Sequence, residues 1–233
     1  FPRPSVRPCL RPGAGWCFLG HQGGGRAPPK PRPPVRLRDR LRDVPGLIAA
    51  DRAYGWFLVV QMLATSARIA TPFFILYVGQ RMHVDGATLG LLSLAFLGAD
   101  TVSNLAWGYL GDRTGFHLVL LLSIGGWILS TPLMITLHQP AAVFLAFFVL
   151  GAAQAGYMMA SQTMILEFGH RDDLPMRIGI SATAEGVTAT LGPLVGGAVA
   201  DLFGYDFVFG ASLGLLLAAL TLLFFAVRDP RAR

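Results

Sequence analysis

Residues 88–117 read TLGLLSLAFLGADTVSNLAWGYLGDRTGFH. From Thr88 to Leu110 the only formally charged side chain is Asp100. That run is close to the ~20 apolar residues an α-helix needs to cross the hydrocarbon of a bilayer. It stops at Gly111-Asp112-Arg113-Thr114-Gly115, a turn-like polar connection, and apolar sequence resumes at Leu118. Two such runs joined so tightly predict a pair of antiparallel membrane-spanning helices, since helices satisfy their own backbone groups in lipid.

Reading outward gives six spans, at about 55–79, 88–110, 118–137, 141–166, 178–200 and 207–227. The predicted fold class is therefore an all-α membrane protein with six transmembrane helices. The connections between spans are short and rich in Gly, Pro, Asp and Arg. Composition agrees: 53% of the 233 residues are hydrophobic and 14% are charged, against roughly 25% charged in soluble domains. A soluble fold would have too few charges left to cover its surface.

The net charge of +6 does not point to nucleic acid, because eleven of the 19 basic residues precede Tyr54. Residues 1–35 carry nine of the 16 prolines and no hydrophobic period, so they are expected to be a disordered basic tail. Cys9 and Cys17 lie in that tail and form no recognisable metal or disulfide pattern. The run Trp16–Leu19 is too short for the core of a signal peptide. Leu37, Leu41, Val44 and Ile48 recur among Arg38, Arg40, Arg42 and Asp43. This predicts an amphipathic linker helix over 36–53, lying on the membrane and interrupted at Pro45. With an N-terminus placed in the cytoplasm, every basic residue except Arg81 and the membrane-buried Arg68 falls on the cytoplasmic side. The positive-inside rule then predicts a multi-pass cell-membrane protein with both termini cytoplasmic.

Polar groups are confined to particular faces. Gln61, Thr65, Arg68 and Pro72 step by four, three and four along the first span. Ser93, Asp100, Asn104, Trp107 and Gly111 share a face of the second. Gln154, Met158 and Ser161 do so on the fourth, beside Tyr157 and Gln162; Ser181, Glu185, Thr188 and Gly192 do so on the fifth. The third and sixth spans have no ionisable group at depth, so they are expected to be the more lipid-facing pair. Arg68 and Asp100 reach similar mid-membrane depth on consecutive helices, and a pair between them is expected. A charge held at such depth marks a solute or proton path. Candidates for solute or coupling-ion contact are Arg68, Asp100, Gln61, Asn104 and Glu185, with Trp107 and Tyr157 placed to stack on an organic solute. Gly192, Pro193, Gly196 and Gly197 on the fifth span predict close helix packing and a bend.

Gly108, Asp112, Arg113 and Gly115 match, in order and spacing, the loop signature that follows the second helix of each half in the major facilitator superfamily. Phe116 and His117 stand where that signature usually has two basic residues. Glu167, with Pro175 and Arg177 after it, resembles the acidic partner of the signature. Gly192-Pro193 with Gly196-Gly197 resembles the family's fifth-helix pattern, although Thr188 replaces a further glycine. The resemblance covers about residues 36–230. It implies two inverted three-helix repeats, forming half of a twelve-helix bundle. The basic linker and the end of the chain soon after the sixth span resemble the C-terminal half, and the opening Phe1 fits a fragment.

The resemblance further implies a secondary transporter working by alternating access, with proton-coupled efflux as one mode open to it. Gly108, Asp112, Arg113, Gly115, Glu167 and Arg177 are then gating residues. The expected partners are the lipid bilayer, a small-molecule solute and the missing six-helix half or a second copy. No nucleic-acid partner, cofactor or metal is expected. The alternative is a membrane scaffold that transports nothing, or a truncated fragment. An enzyme is not expected: no metal-ligand spacing, nucleophile elbow or phosphate loop occurs in the sequence.

Overall fold

A computed structural model describes residues 44–49, 51–81, 85–136, 139–168 and 173–227. The expected tail at 1–35 and half of the linker at 36–53 lie outside the described residues. Residues 44–49 are helical, and Leu47 and Ile48 pack on the core. The remaining elements are α1 (Arg52–Ala67), a 3-10 turn (Arg68–Ala70), α2 (Thr71–Arg81), α3 (Gly86–Thr114), α4 (Phe116–Thr136), α5 (Pro140–Glu167), α6 (Leu174–Phe203) and α7 (Tyr205–Ala226). Among the described residues, long apolar helices account for six candidate membrane spans; α1, the 3-10 turn and α2 make up the first, at Arg52–Gln80.

Local chemistry fixes where these helices begin. The Asp51 carboxylate accepts from the Tyr54 N–H at 3.3 Å and caps α1. Asp85 caps α3 in the same way, accepting from the N–H and the hydroxyl of Thr88 at 2.8 and 2.6 Å. Each bond satisfies one of the N–H groups that a helix start leaves unpaired. Pro140 and Pro175 stand in the first turns of α5 and α6, where a missing N–H costs nothing.

The ends of α3 and α6 depart from the sequence reading. Gly111-Asp112-Arg113-Thr114 is the last turn of α3, not a loop. Chain reversal is confined to Gly115, at φ 94°, and its N–H bonds back to the Gly111 carbonyl at 3.0 Å. Gly204 does the same between α6 and α7, at φ 83°, bonding to the Ala200 carbonyl at 2.9 Å. Only glycine adopts these angles without strain, so one residue reverses the chain where a five-residue loop is expected.

Proline explains the interruption of the first span. Pro72 has no N–H and its ring crowds the carbonyl four residues back, which belongs to Arg68. The helix tightens to 3-10 geometry there, and the Thr71 N–H bonds to the Arg68 carbonyl. The Ala67 carbonyl, which a regular α-helix would pair with Thr71, instead accepts from the buried Ser212 hydroxyl of α7 at 2.7 Å.

The packing pattern repeats. α5 packs most extensively on α3 and α4; α1 packs most extensively on α7 and then α6. Exchanging the first three spans with the last three maps one set of neighbours onto the other. The two reversing glycines occupy corresponding places in that exchange. The fold is thus two inverted three-helix repeats, as the family resemblance implies.

Close approach within the first set depends on two glycines of α5. A Cβ at Gly151 would strike the backbone of Phe96 on α3, and one at Gly156 would strike the Ser123 hydroxyl and the Trp107 ring. Glycine here lets α5 lie against both neighbours. Coverage within this bundle differs from span to span. Within the bundle, 44% of the third and 33% of the sixth are covered, against 11% of the second and of the fifth.

Candidate functional site

The six spans alternate in direction, so Arg68, near the middle of the first, and Asp100, midway along α3, share a similar depth. They do not bridge each other. Arg68 Nη1 lies 3.8 Å from Glu185 Oε1 on α6. The cause is the packing order: α1 contacts α6 and α7, whereas α3 contacts α5 and α4. Consecutive spans one and two are not close neighbours, and the arginine meets the fifth span instead.

A polar cluster surrounds this bridge. The buried Gln61 donates its amide N–H to Glu185 Oε2 at 3.2 Å. The Arg68 guanidinium lies 5.7 Å from the centres of both the Trp127 and Tyr157 rings, close enough for cation–π attraction. Tyr157 is 1% exposed; its hydroxyl lies 3.4 Å from the Thr65 hydroxyl and donates to the Gln61 carbonyl at 3.4 Å. It therefore braces the cluster and offers no free face to a solute. Trp107 is also engaged, its indole N–H donating to the Ala152 carbonyl at 2.7 Å.

Two open grooves run beside the cluster. One, of about 420 Å³, is lined by Thr65, Arg68, Thr71, Pro72, Ile75, Phe96, Gln154, Ala189 and Pro193. The other, of about 460 Å³, is lined by Phe96, Asp100, Asn104, Gln154, Ala155, Met158, Met159 and Gln162. Phe96 and Gln154 border both. The lining comes from the first, second, fourth and fifth spans only, the four whose sequences carry polar faces. Asn104 donates its side-chain N–H to the Asp100 carbonyl at 2.7 Å. Among the described residues, the Asp100 carboxylate makes no ion pair.

A second cluster ties the first and fifth spans at one end of the bundle. Arg177, 4% exposed, bonds Asp51 at 2.9 Å and lies 4.6 Å from the Tyr54 ring centre. The Tyr54 hydroxyl donates to the Arg177 carbonyl at 2.9 Å and lies 3.3 Å from the Ser181 hydroxyl. The end of α3 and Glu167, at the end of α5, belong to the same end of the bundle by topology. Asp112 and Arg113 are exposed there, with Arg113 over the Tyr109 ring at 4.3 Å. Gly108 has open space around its Cα. His117 lies half-buried with Nε2 3.2 Å from the Leu223 carbonyl. On α6, Gly192 and Gly196 are buried, Pro193 is exposed, and Gly197 faces open space.

Sequence reasoning missed Trp127, whose place beneath Arg68 depends on the third span. It also missed Phe96 and Thr71, which look like ordinary span residues until the helices are assembled. Gly151 and Gly156 carried a small-residue signal, since Gly151, Ala155, Gly156 and Ala160 recur along α5.

These features define a multi-pass membrane bundle of inverted repeats with one polar, grooved face. Residues 56–233 match the Major Facilitator Superfamily, and the chain belongs to that family, which is one of transporters, not enzymes. It is 28% identical over 176 residues to the Tetracenomycin C resistance and export protein of Streptomyces glaucescens, covering 75% of this chain and 32% of that protein. It is 29% identical over 166 residues to the Multidrug resistance protein MdtG of Salmonella choleraesuis, covering 69% of this chain and 41% of that protein. The corresponding protein of Citrobacter koseri is 30% identical over 166 residues, with 69% and 40% covered. The chain thus spans about a third to two-fifths of these relatives.

Proposed function

We propose that this chain forms one six-helix bundle of a secondary transporter that exports a small solute across the cell membrane by alternating access. The observation that carries the reading is the pair of grooves at mid-depth, lined by four of six spans and bordered by ionisable groups. Polar groups at such depth are costly unless they serve a path or a partner. The relatives named for export and resistance support the direction. The limited share of each relative that is covered supports a second bundle, supplied by the missing half or a second copy. The distribution of basic residues supports cytoplasmic termini.

In this reading the Arg68–Glu185–Gln61 cluster links the first and fifth spans across the path. Protonation of Glu185 removes the charge that holds Arg68, so proton uptake and separation of the two spans become one event. Asp112, Arg113, Glu167 and Arg177, all at the cytoplasmic end, are the gating groups, with Gly108 and Gly115 shaping the α3 terminus. Bond exchange at this end accompanies opening and closing. Arg177 holds Asp51 in the state described. Flux in proteoliposomes carrying the complete protein tests the reading. Arg68→Ala should abolish it, and Glu185→Gln should remove its dependence on a proton gradient. Unchanged flux in a well-folded Arg68→Ala protein would remove the cluster from the mechanism.

A further inference from the structure

Three ionisable side chains reach mid-depth on the grooved face, and their pairing is unequal. Arg68 faces Glu185 at 3.8 Å, and Gln61 holds the other carboxylate oxygen at 3.2 Å. Asp100 has no cation within bridging distance among the described residues. With all three ionised, one guanidinium stands against two carboxylates, and the uncompensated charge is negative. An anionic solute would have to draw Arg68 away and leave Glu185 unmatched at depth. A cationic solute leaves that pair intact and supplies the charge Asp100 lacks.

The walls around Asp100 fit the same class. The groove of about 460 Å³ is of a size that holds small organic ligands. Asn104, whose N–H is already bonded to the Asp100 carbonyl, retains its amide oxygen as an acceptor. Phe96 offers an aromatic side chain, and Met158 and Met159 offer polarisable thioethers that adapt to varied shapes. Resting on the transport reading above, we propose that this groove binds an organic cation, its positive centre at Asp100 and its apolar body against Phe96, Met158 and Met159.

Equilibrium binding of radiolabelled tetraphenylphosphonium to the purified complete protein tests this, with flux of the same ion measured in proteoliposomes. Saturable binding is expected, weakened at least tenfold by Asp100→Asn and kept within a few-fold by Asp100→Glu. Neutral triphenylphosphine oxide should distinguish wild type from Asp100→Asn by less than twofold. Met158→Lys, which places a cation in the groove without touching Asp100, should also abolish tetraphenylphosphonium binding; it decides the matter if Asp100→Asn does not fold. Equal binding by wild type and the folded Asp100→Asn protein would overturn the proposal. So would absence of saturable binding, or preference for tetraphenylborate over tetraphenylphosphonium. Binding without flux of any solute would overturn the transport reading and leave the cation site standing. Flux of other solutes without tetraphenylphosphonium binding would do the reverse.

Discussion

At the scale of single residues, the break in the first span shows how one backbone defect is repaired from elsewhere in the chain. Pro72 tightens the helix at Arg68–Ala70, and the Ala67 carbonyl loses its usual partner. Ser212 supplies one at 2.7 Å. Ser212→Ala should lower stability by about 1–3 kcal/mol, the cost of leaving a buried acceptor unmade, and thermal unfolding of the purified protein reads that loss. Pro72 was legible in the sequence as a member of a polar face. The role of Ser212 was not, because a lone serine in an apolar span has no meaning until its neighbour is known. The same limit applies to Arg68. Spacing along the helices set its depth and showed that it needed a partner, but the choice between Asp100 and Glu185 depends on which helices touch.

At the scale of elements, glycine position separates packing from mere abundance. The sequence draws attention to Gly192–Gly197, yet a Cβ at Gly197 meets nothing within 4 Å. Gly151 and Gly156 are the positions where α5 touches its neighbours. Gly156→Leu should cost more than the 1–3 kcal/mol typical of an overpacked core and sharply reduce folded yield. Gly197→Ala should leave yield and thermal stability unchanged, and size-exclusion profiles of the two variants compare them directly. The Asp51–Arg177 bridge is a second element-scale device, joining the ends of α1 and α6 with side chains only 16% and 4% exposed. Asp51→Ala should destabilise by about 3–5 kcal/mol, because it leaves a buried guanidinium unpaired. Adding Arg177→Met should restore most of that loss in the same thermal assay. Helix existence was readable from apolar length. The helix ends were less so, because Asp112 and Arg113 look like loop residues while the reversal needs Gly115 alone.

For the whole molecule, the account depends on one polar face assembled from non-consecutive spans. Periodicity found the four contributing helices, since polar residues three and four apart must share a side. It did not rank the spans by how far each is covered within the bundle, because that depends on tertiary contacts. It is the second and fifth that expose most of their length. Along α3 the two environments alternate: Asp100 and Asn104 line a groove, whereas Leu94 and Leu105 are 66% and 82% exposed on apolar surface. Single cysteines at 94, 100, 104, 105 and 154, in a protein whose Cys9 and Cys17 are replaced by serine, distinguish these environments in intact membranes. A membrane-impermeant thiol reagent should label Asp100→Cys, Asn104→Cys and Gln154→Cys and spare Leu94→Cys and Leu105→Cys. Equal labelling of both sets, or protection of the groove positions alone, would contradict a water-accessible solute path along this face.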